Sequence, residues 1–342
     1  RSAGPSGARS GQRPPLLRGA PVFGACALVL FLAMAASLAI GSRVLSPAQV
    51  WQALTGTGTP IDTEVVVRMR VPRTIAGLVV GCALGLAGAV MQALTRNPLA
   101  DPGILGVNAG AALGVVSACA ATGVSTQARN ATAALAGALA ASCAVHLLAG
   151  RGGPGSRARL ALAGIALTAA LSSLTQAVVL ADQFAFNEFR HWVSGSLEGV
   201  RLSSLAWACA PLAIGAVIAA LLGPALGVLA LGDEAAAGLG VRVRVVRTCG
   251  LVAVGALAGA ATAICGPLGF VGLAVPLIAR RLVGSGQSAL SALSAVLGGA
   301  WVLIADVVAR VLVPEEVPVG VVLALIGAPF FVALARGRGA SA

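Results

Sequence analysis

The chain has 342 residues, of which 58% are hydrophobic and only 10% charged, with 45 glycines and neither lysine nor tyrosine. Soluble domains carry about 25% charged residues, so this composition excludes an ordinary soluble enzyme or binding module and fits a multi-span membrane protein rich in small residues. The net charge of +12 does not signal nucleic acid, because the arginines punctuate apolar runs instead of forming one basic stripe.

A transmembrane helix needs about 20 mostly apolar residues. Ten such spans are expected, at 21–41, 74–95, 103–122, 131–150, 160–181, 203–222, 245–265, 268–280, 288–309 and 317–335. They make one all-α membrane domain over 21–336, preceded by a tail at 1–20 and followed by a tail at 337–342. The first run has signal-peptide character, but no small-residue cleavage pattern closes it, so it reads as an uncleaved helix. Gly77, Gly81 and Gly85 recur every fourth residue in the second span, as do Gly106, Gly110 and Gly114 in the third. Such stripes let helix backbones approach closely.

Between those two spans lies "LTRNPLADPGILGVNAG", residues 94–110. Pro98 biases Asn97 away from helix, which ends the second span at Arg96. Asp101 followed by Pro102 is an N-cap with proline at the first helical position. The stretch therefore reads as a tight hairpin.

Further along, the fifth span carries Thr168, Ser172, Ser173, Thr175 and Gln176 on an otherwise apolar helix. They suit interhelical hydrogen bonding. The segment 231–241, "LGDEAAAGLGV", separates the sixth and seventh spans. Asp233 and Glu234 open a short helical run, where carboxylates suit the positive end of the helix dipole, and Gly238 and Gly240 end it. The eighth span is short and glycine-rich, so it is expected to pack inside other helices, away from lipid. In the ninth, Asp306 and Arg310 stand at i,i+4 spacing and can pair.

Ten spans place both ends on one side. With the N-terminus inside, inner segments hold Arg1, Arg9, Arg13, Arg18, Arg96, Arg151, Arg157, Arg159, Arg242, Arg244, Arg247, Arg280, Arg281, Arg336 and Arg338. Outer segments hold Arg43, Arg68, Arg70, Arg73, Arg129, Arg190, Arg201 and Arg310. This excess inside favours both termini in the cytoplasm. The seven cysteines fall in or beside apolar runs with no C-x-x-C spacing, so they read as small buried hydrophobes, and no metal site is expected. His146 reads as a packing residue near the inner face.

The stretch "RMRVPRTIAGLVVGCALGLAGAVMQALTRNPLADPGILGVNAGAALGVV" (68–116) strongly resembles the signature of FecCD-type permeases, the membrane subunits of bacterial ABC importers for iron–siderophores, haem and vitamin B12. Further blocks of the same resemblance follow in order: "WVSGSL" (192–197), 231–241, "GPLGFVGLAVPLIAR" (266–280), "ADVVAR" (305–310) and "VPVGVVLALIGAPFF" (317–331). Two positions depart from the family's common pattern, Leu277 where histidine is frequent and Ala237 where a basic residue is frequent.

The resemblance implies a ten-helix permease in the plasma membrane that pairs with a second permease subunit, two ABC ATPase subunits and an extracytoplasmic binding protein. It implies an iron–siderophore cargo, with vitamin B12 or haem as alternatives. Gly232, Asp233, Glu234, Ala235, Ala236, Gly238, Leu239 and Gly240 then belong to the coupling segment that inserts into the ATPase. Arg70, Arg73 and Arg310 match arginines that dock glutamates of the binding protein, a task suited to the planar guanidinium. Thr168, Ser172, Thr175 and Gln176 lie on the helix that lines the path.

Other classes fit poorly. A P-loop requires lysine to reach nucleotide phosphates, and the chain has none, so ATP and magnesium belong to the partner ATPase and no cofactor is expected here. No H-E-x-x-H zinc motif supports a membrane-embedded enzyme. A secondary transporter would show inverted repeats and buried ionisable groups for ion coupling; no repeat is evident, and Asp306 stands nearly alone.

Overall fold

The computed structural model describes residues 15–41, 43–150, 156–284, 286–312 and 317–339. Residues 1–14 and 340–342 of the two expected tails lie outside the described residues, as does Arg151. The helices are α1 (Pro15–Ala39), α2 (Pro47–Leu54), α3 (Pro60–Thr63), a π-helical segment Glu64–Arg70, α4 (Val71–Thr95), a 3-10 turn Pro102–Leu105, α5 (Val107–Thr122), α6 (Gln127–Ala149), α7 (Ser156–Ala181), α8 (Gln183–Val193), α9 (Leu202–Leu229), α10 (Asp233–Gly238), α11 (Val243–Cys265), α12 (Val271–Val283), α13 (Gln287–Leu312) and α14 (Val319–Gly339).

The ten expected spans correspond to α1, α4, α5, α6, α7, α9, α11, α12, α13 and α14. Among the described residues, seven helical runs are long and apolar enough to cross a membrane, while α5 and the first part of α14 are shorter apolar helices. The third span differs from expectation. It is a 3-10 turn plus a 16-residue helix, broken at Gly106, whose φ of 70° is a left-handed value suited to glycine. The sixth span is longer than expected, because α9 continues through Pro224 to Leu229. The short helices α2, α3 and α8 were not anticipated; at 8, 4 and 11 residues they fall below span length and leave no long apolar run.

The bundle has an inside and an outside. The most apolar stretches of the Pro60–Thr95 run and of α11 are 72% and 78% buried, against 17% for those of α1 and α7. Helix α4 packs on α13, α11, α12 and α9, while α5 packs on α6, α7 and α8. α12 is buried through Val271, Gly272, Ala274, Val275, Pro276, Leu277 and Ala279, as expected for a short span sheltered by its neighbours. Outer helices expose Leu28, Phe31 and Leu32 of α1, Leu162 and Ile165 of α7, and Ile214, Val217 and Leu221 of α9. Apolar exposure on this scale suits lipid or another membrane subunit, not water. Cysteine burial is mixed: Cys26, Cys119 and Cys265 are buried, but Cys143 and Cys209 are exposed. Those two sit on outward faces, which suit lipid or another membrane subunit.

The glycine stripes are contact seams. A Cβ on Gly81 would fall under 3.0 Å from the Gly298 backbone, and one on Gly298 would meet the Gly81 carbonyl as closely. The second stripe works the same way between α5 and α6, with Gly110 against Gly137. Gly88 meets the backbone of Gly272, so α4 also touches α12 main chain to main chain. Backbone atoms cannot rotate aside, so added volume there forces the helices apart. Gly81→Leu is expected to lower the thermal midpoint in detergent sharply, measured by static light scattering on heating. Gly24→Ala, where a Cβ meets nothing within 4 Å, serves as the control and leaves the midpoint unchanged or slightly raised.

Candidate functional site

Among the polar groupings in this apolar bundle, two lie at the ends of α4. With 25 residues at 1.5 Å each, they stand about 37 Å apart along that helix.

The first gathers the end of α1, the start of α4 and the end of α13. Asp306 is fully buried. It accepts from Arg73 Nε at 3.0 Å and Arg73 Nη2 at 2.9 Å, and from Arg310 Nε at 3.0 Å, with Arg310 Nη2 closing a second bond. The anticipated i,i+4 pair is thus present, and Arg73 joins it from 233 residues away. Arg310 also donates to Ser37 O at 2.9 Å, Ile40 O at 3.1 Å and Ser37 Oγ at 2.8 Å. Arg70 Nη1 donates to Leu38 O and Ala39 O, each at 2.8 Å, and its Nη2 to Arg43 O. The last four carbonyls of a helix have no intrahelical partner, and cations suit that end of the dipole. Arg70 and Arg310 therefore cap α1 at its C-terminus. The sequence brought Arg70, Arg73 and Arg310 together by resemblance; the structure brings them together around Asp306 and the end of α1. Arg70 and Arg310 are each 5% exposed. Nearby Arg68 is exposed and pairs with Glu64 at 3.2 Å on the π-helical segment.

The second cluster holds the segment 231–241. Helix α10 has one buried residue, Ala236. Glu234, Ala235, Ala237, Gly238, Leu239 and Gly240 are exposed, while Gly232 and Asp233 are half-buried. Gly232 has φ 131° and Gly240 φ 82°, so glycine is needed at both turns. Asp233 faces inward. Its Oδ1 accepts from Arg96 Nη2 at 3.0 Å and its Oδ2 from Arg247 Nη2 at 2.6 Å. Arg247 thus ties the segment to α11, whereas Arg242 and Arg244 remain exposed.

Arg96 ends α4, as expected, and opens the hairpin to α5. Asp101 caps the 3-10 turn through Gly103 N–H at 2.8 Å; burial pushes its carboxyl up, and the Gly103 N–H partly opposes this. Gln92 reaches Leu273 O at 3.2 Å, and Asn108 Oδ1 accepts from Thr262 Oγ1 at 3.1 Å. These ties between the signature stretch, α11 and α12 had no signal in sequence spacing.

The residues expected along the path do not form one cluster. On α7, Thr175 is buried and donates to Leu171 O at 2.9 Å. Ser172 and Gln176 are exposed, and Thr168 is half-buried. His146 is half-buried in the last turn of α6.

Comparison with known proteins places this architecture. The model of the FecCD transport family matches residues 28–337. The chain is 44% identical over 312 residues to the ferric enterobactin transport system permease protein FepD of Escherichia coli (strain K12), covering 91% of this chain and 93% of that one. It is 37% identical over 312 residues to the Fe(3+)-citrate import system permease protein YfmD of Bacillus subtilis (strain 168), covering 91% and 93%. A solved structure described as an inward-facing metal-chelate type ABC transporter superposes with a TM-score of 0.84 at 29% identity, covering 93% of this chain and 99% of that one. A match that spans nearly every helix, in sequence and in fold, leads to one conclusion: the chain belongs to the FecCD transport family, the permease subunits of ABC importers.

Proposed function

We propose that the chain is the membrane-spanning permease of an importer for iron–siderophore complexes, with both termini cytoplasmic and ATP hydrolysed by a separate subunit. The observation that carries this reading is the end-to-end similarity to permeases of ferric enterobactin and Fe(3+)-citrate systems, combined with the exposed face of α10. A short helix with small residues outward and a single buried anchor is suited to a partner's groove. Glu234, Ala235, Ala237, Gly238 and Leu239 form that surface. ATP and magnesium bind the partner, since a chain without lysine cannot form a P-loop.

At the other end, Arg73 and Arg310 share Asp306, and Arg70 lies beside them at the end of α1. The surplus of positive charge makes this the docking face for glutamates of an extracytoplasmic binding protein, which approaches α1, α4 and α13 there. A second permease subunit covers α7, whose outward Ser172 and Gln176 then border the path between the two subunits. Arginine distribution supports the orientation.

The cargo is tested by uptake. A strain lacking its own iron and cobalamin permeases, supplied with this chain and its partners, is expected to accumulate 55Fe from ferric siderophores well above background. Accumulation of labelled cobalamin or haem in preference to iron would overturn the cargo assignment and leave the importer reading standing. Uptake that needs an ion gradient and no ATPase would instead favour a secondary transporter.

A further inference from the structure

The stretch 94–110 is not only a turn between two helices; its first charged residue holds the coupling segment. Arg96 adopts φ 49° and ψ 31°, a left-handed conformation at the C-terminal cap of α4. Glycine is the usual residue there, because a side chain costs backbone energy in that region. Phe270 is the only other non-glycine with positive φ among the described residues. An arginine at a glycine position directs attention to what its side chain does. Arg96 Nε donates to Leu229 O at 2.8 Å, at the end of α9, and Nη2 donates to Asp233 Oδ1 at 3.0 Å. Its guanidinium lies beside Gly232, where a Cβ would sit 3.8 Å away.

Asp233 completes the arrangement by binding Arg247 of α11 with its other oxygen. One carboxylate on α10 therefore joins the end of α4 to the start of α11, and Arg96 ties the end of α9 to the same point. Ala236 is the one buried residue of α10. Beyond Arg96 the connections continue as close packing. Leu94 lies where a Cβ on Gly250 of α11 would be, and Pro102 lies where one on Gly272 of α12 would be, both under 3.0 Å.

We infer that Arg96 and Arg247 are positioning residues that clamp Asp233, so that displacement of α10 by a bound ATPase moves α4, α9 and α11 with it. The inference rests on the permease reading above and adds to it the residues through which the coupling segment grips the bundle. Without the clamp, α10 still presents its outer face and still binds, but its movement is taken up by the loops at Gly232 and Gly240.

The test uses the full transporter, with ATPase and binding protein, in liposomes. Substrate carried per ATP hydrolysed is measured for Arg96→Gly, Arg247→Gln and the double variant. Arg96→Gly suits the backbone at that position, so loss of function there cannot be assigned to strain. Both variants are expected to capture the ATPase and to keep a thermal midpoint near wild type. Transport per ATP is expected to fall roughly tenfold in the double variant, within the range by which coupling residues act. Lysine at position 247 (Arg247→Lys), which keeps the charge, is expected to restore much of the ratio. A wild-type ratio in the double variant would overturn the inference. So would a ratio that falls only in step with loss of folded protein. If the wild-type chain captures no ATPase, the permease reading itself has failed and the inference falls with it; coupling equal in wild type and double variant removes the inference alone.

Discussion

Asp306→Ala is expected to destabilise the chain more than any other single loss of a side chain described above, by about 3–5 kcal/mol, the usual cost of removing one partner from a buried ion pair. The reason is the position of the carboxylate. Asp306 is fully buried and answers both Arg73 and Arg310. Arg310 is 5% exposed and retains only the carbonyls and hydroxyl at the end of α1 once the carboxylate is gone. Uncompensated guanidinium charge then remains where water is excluded. Asp306→Asn keeps the shape and some hydrogen bonding, so it is expected to cost less. Thermal unfolding in detergent orders the three proteins as wild type, Asn variant, Ala variant. Equal midpoints for all three would mean that the cluster is solvated and contributes nothing to holding α1.

Ala235→Trp is expected to abolish substrate-dependent ATP hydrolysis while leaving the fold intact. Ala235 is exposed on α10, so the bulky side chain meets no neighbour in the chain itself. On the proposed docking face it would meet the ATPase instead, and packed interface cores tolerate little added volume. The expected result is a thermal midpoint at the wild-type value, with ATPase capture and transport each reduced by more than about tenfold, the loss that 1.4 kcal/mol of interface energy produces. Normal capture and transport by this variant would mean that 231–241 is a capped turn and nothing more.

Much of this was legible in the sequence because lipid imposes simple requirements. Apolar runs marked the ten helices that correspond to the expected spans, and the shortness of 268–280 correctly placed α12 inside the bundle. The glycine stripes marked contact faces but not their partners: α4 meets α13, far along the chain, and not α5, whose stripe follows immediately. Local spacing revealed the Asp306–Arg310 pair because four residues make one helical turn. It could not reveal Arg73, or the bond between Arg96 and Asp233 across 137 residues, since no periodicity links distant segments. The break at Gly106 was hidden for a different reason. Glycine within an apolar run reads equally as close packing or as a left-handed turn, and here Gly110 and Gly114 do the first while Gly106 does the second. Arg70 and Arg310, which the resemblance assigns to docking, have a structural task that the motif alone did not suggest, the capping of α1.

On the proposed reading, this chain moves substrate only when a separate ATPase drives it. The most direct measurement is uptake of a 55Fe-loaded siderophore into liposomes containing the purified chain, with and without the ATPase, the binding protein being present throughout. Accumulation is expected to require ATPase and ATP together and to persist when an uncoupler collapses every ion gradient. Accumulation by the chain alone, or its loss on uncoupling with ATP still supplied, would contradict that reading.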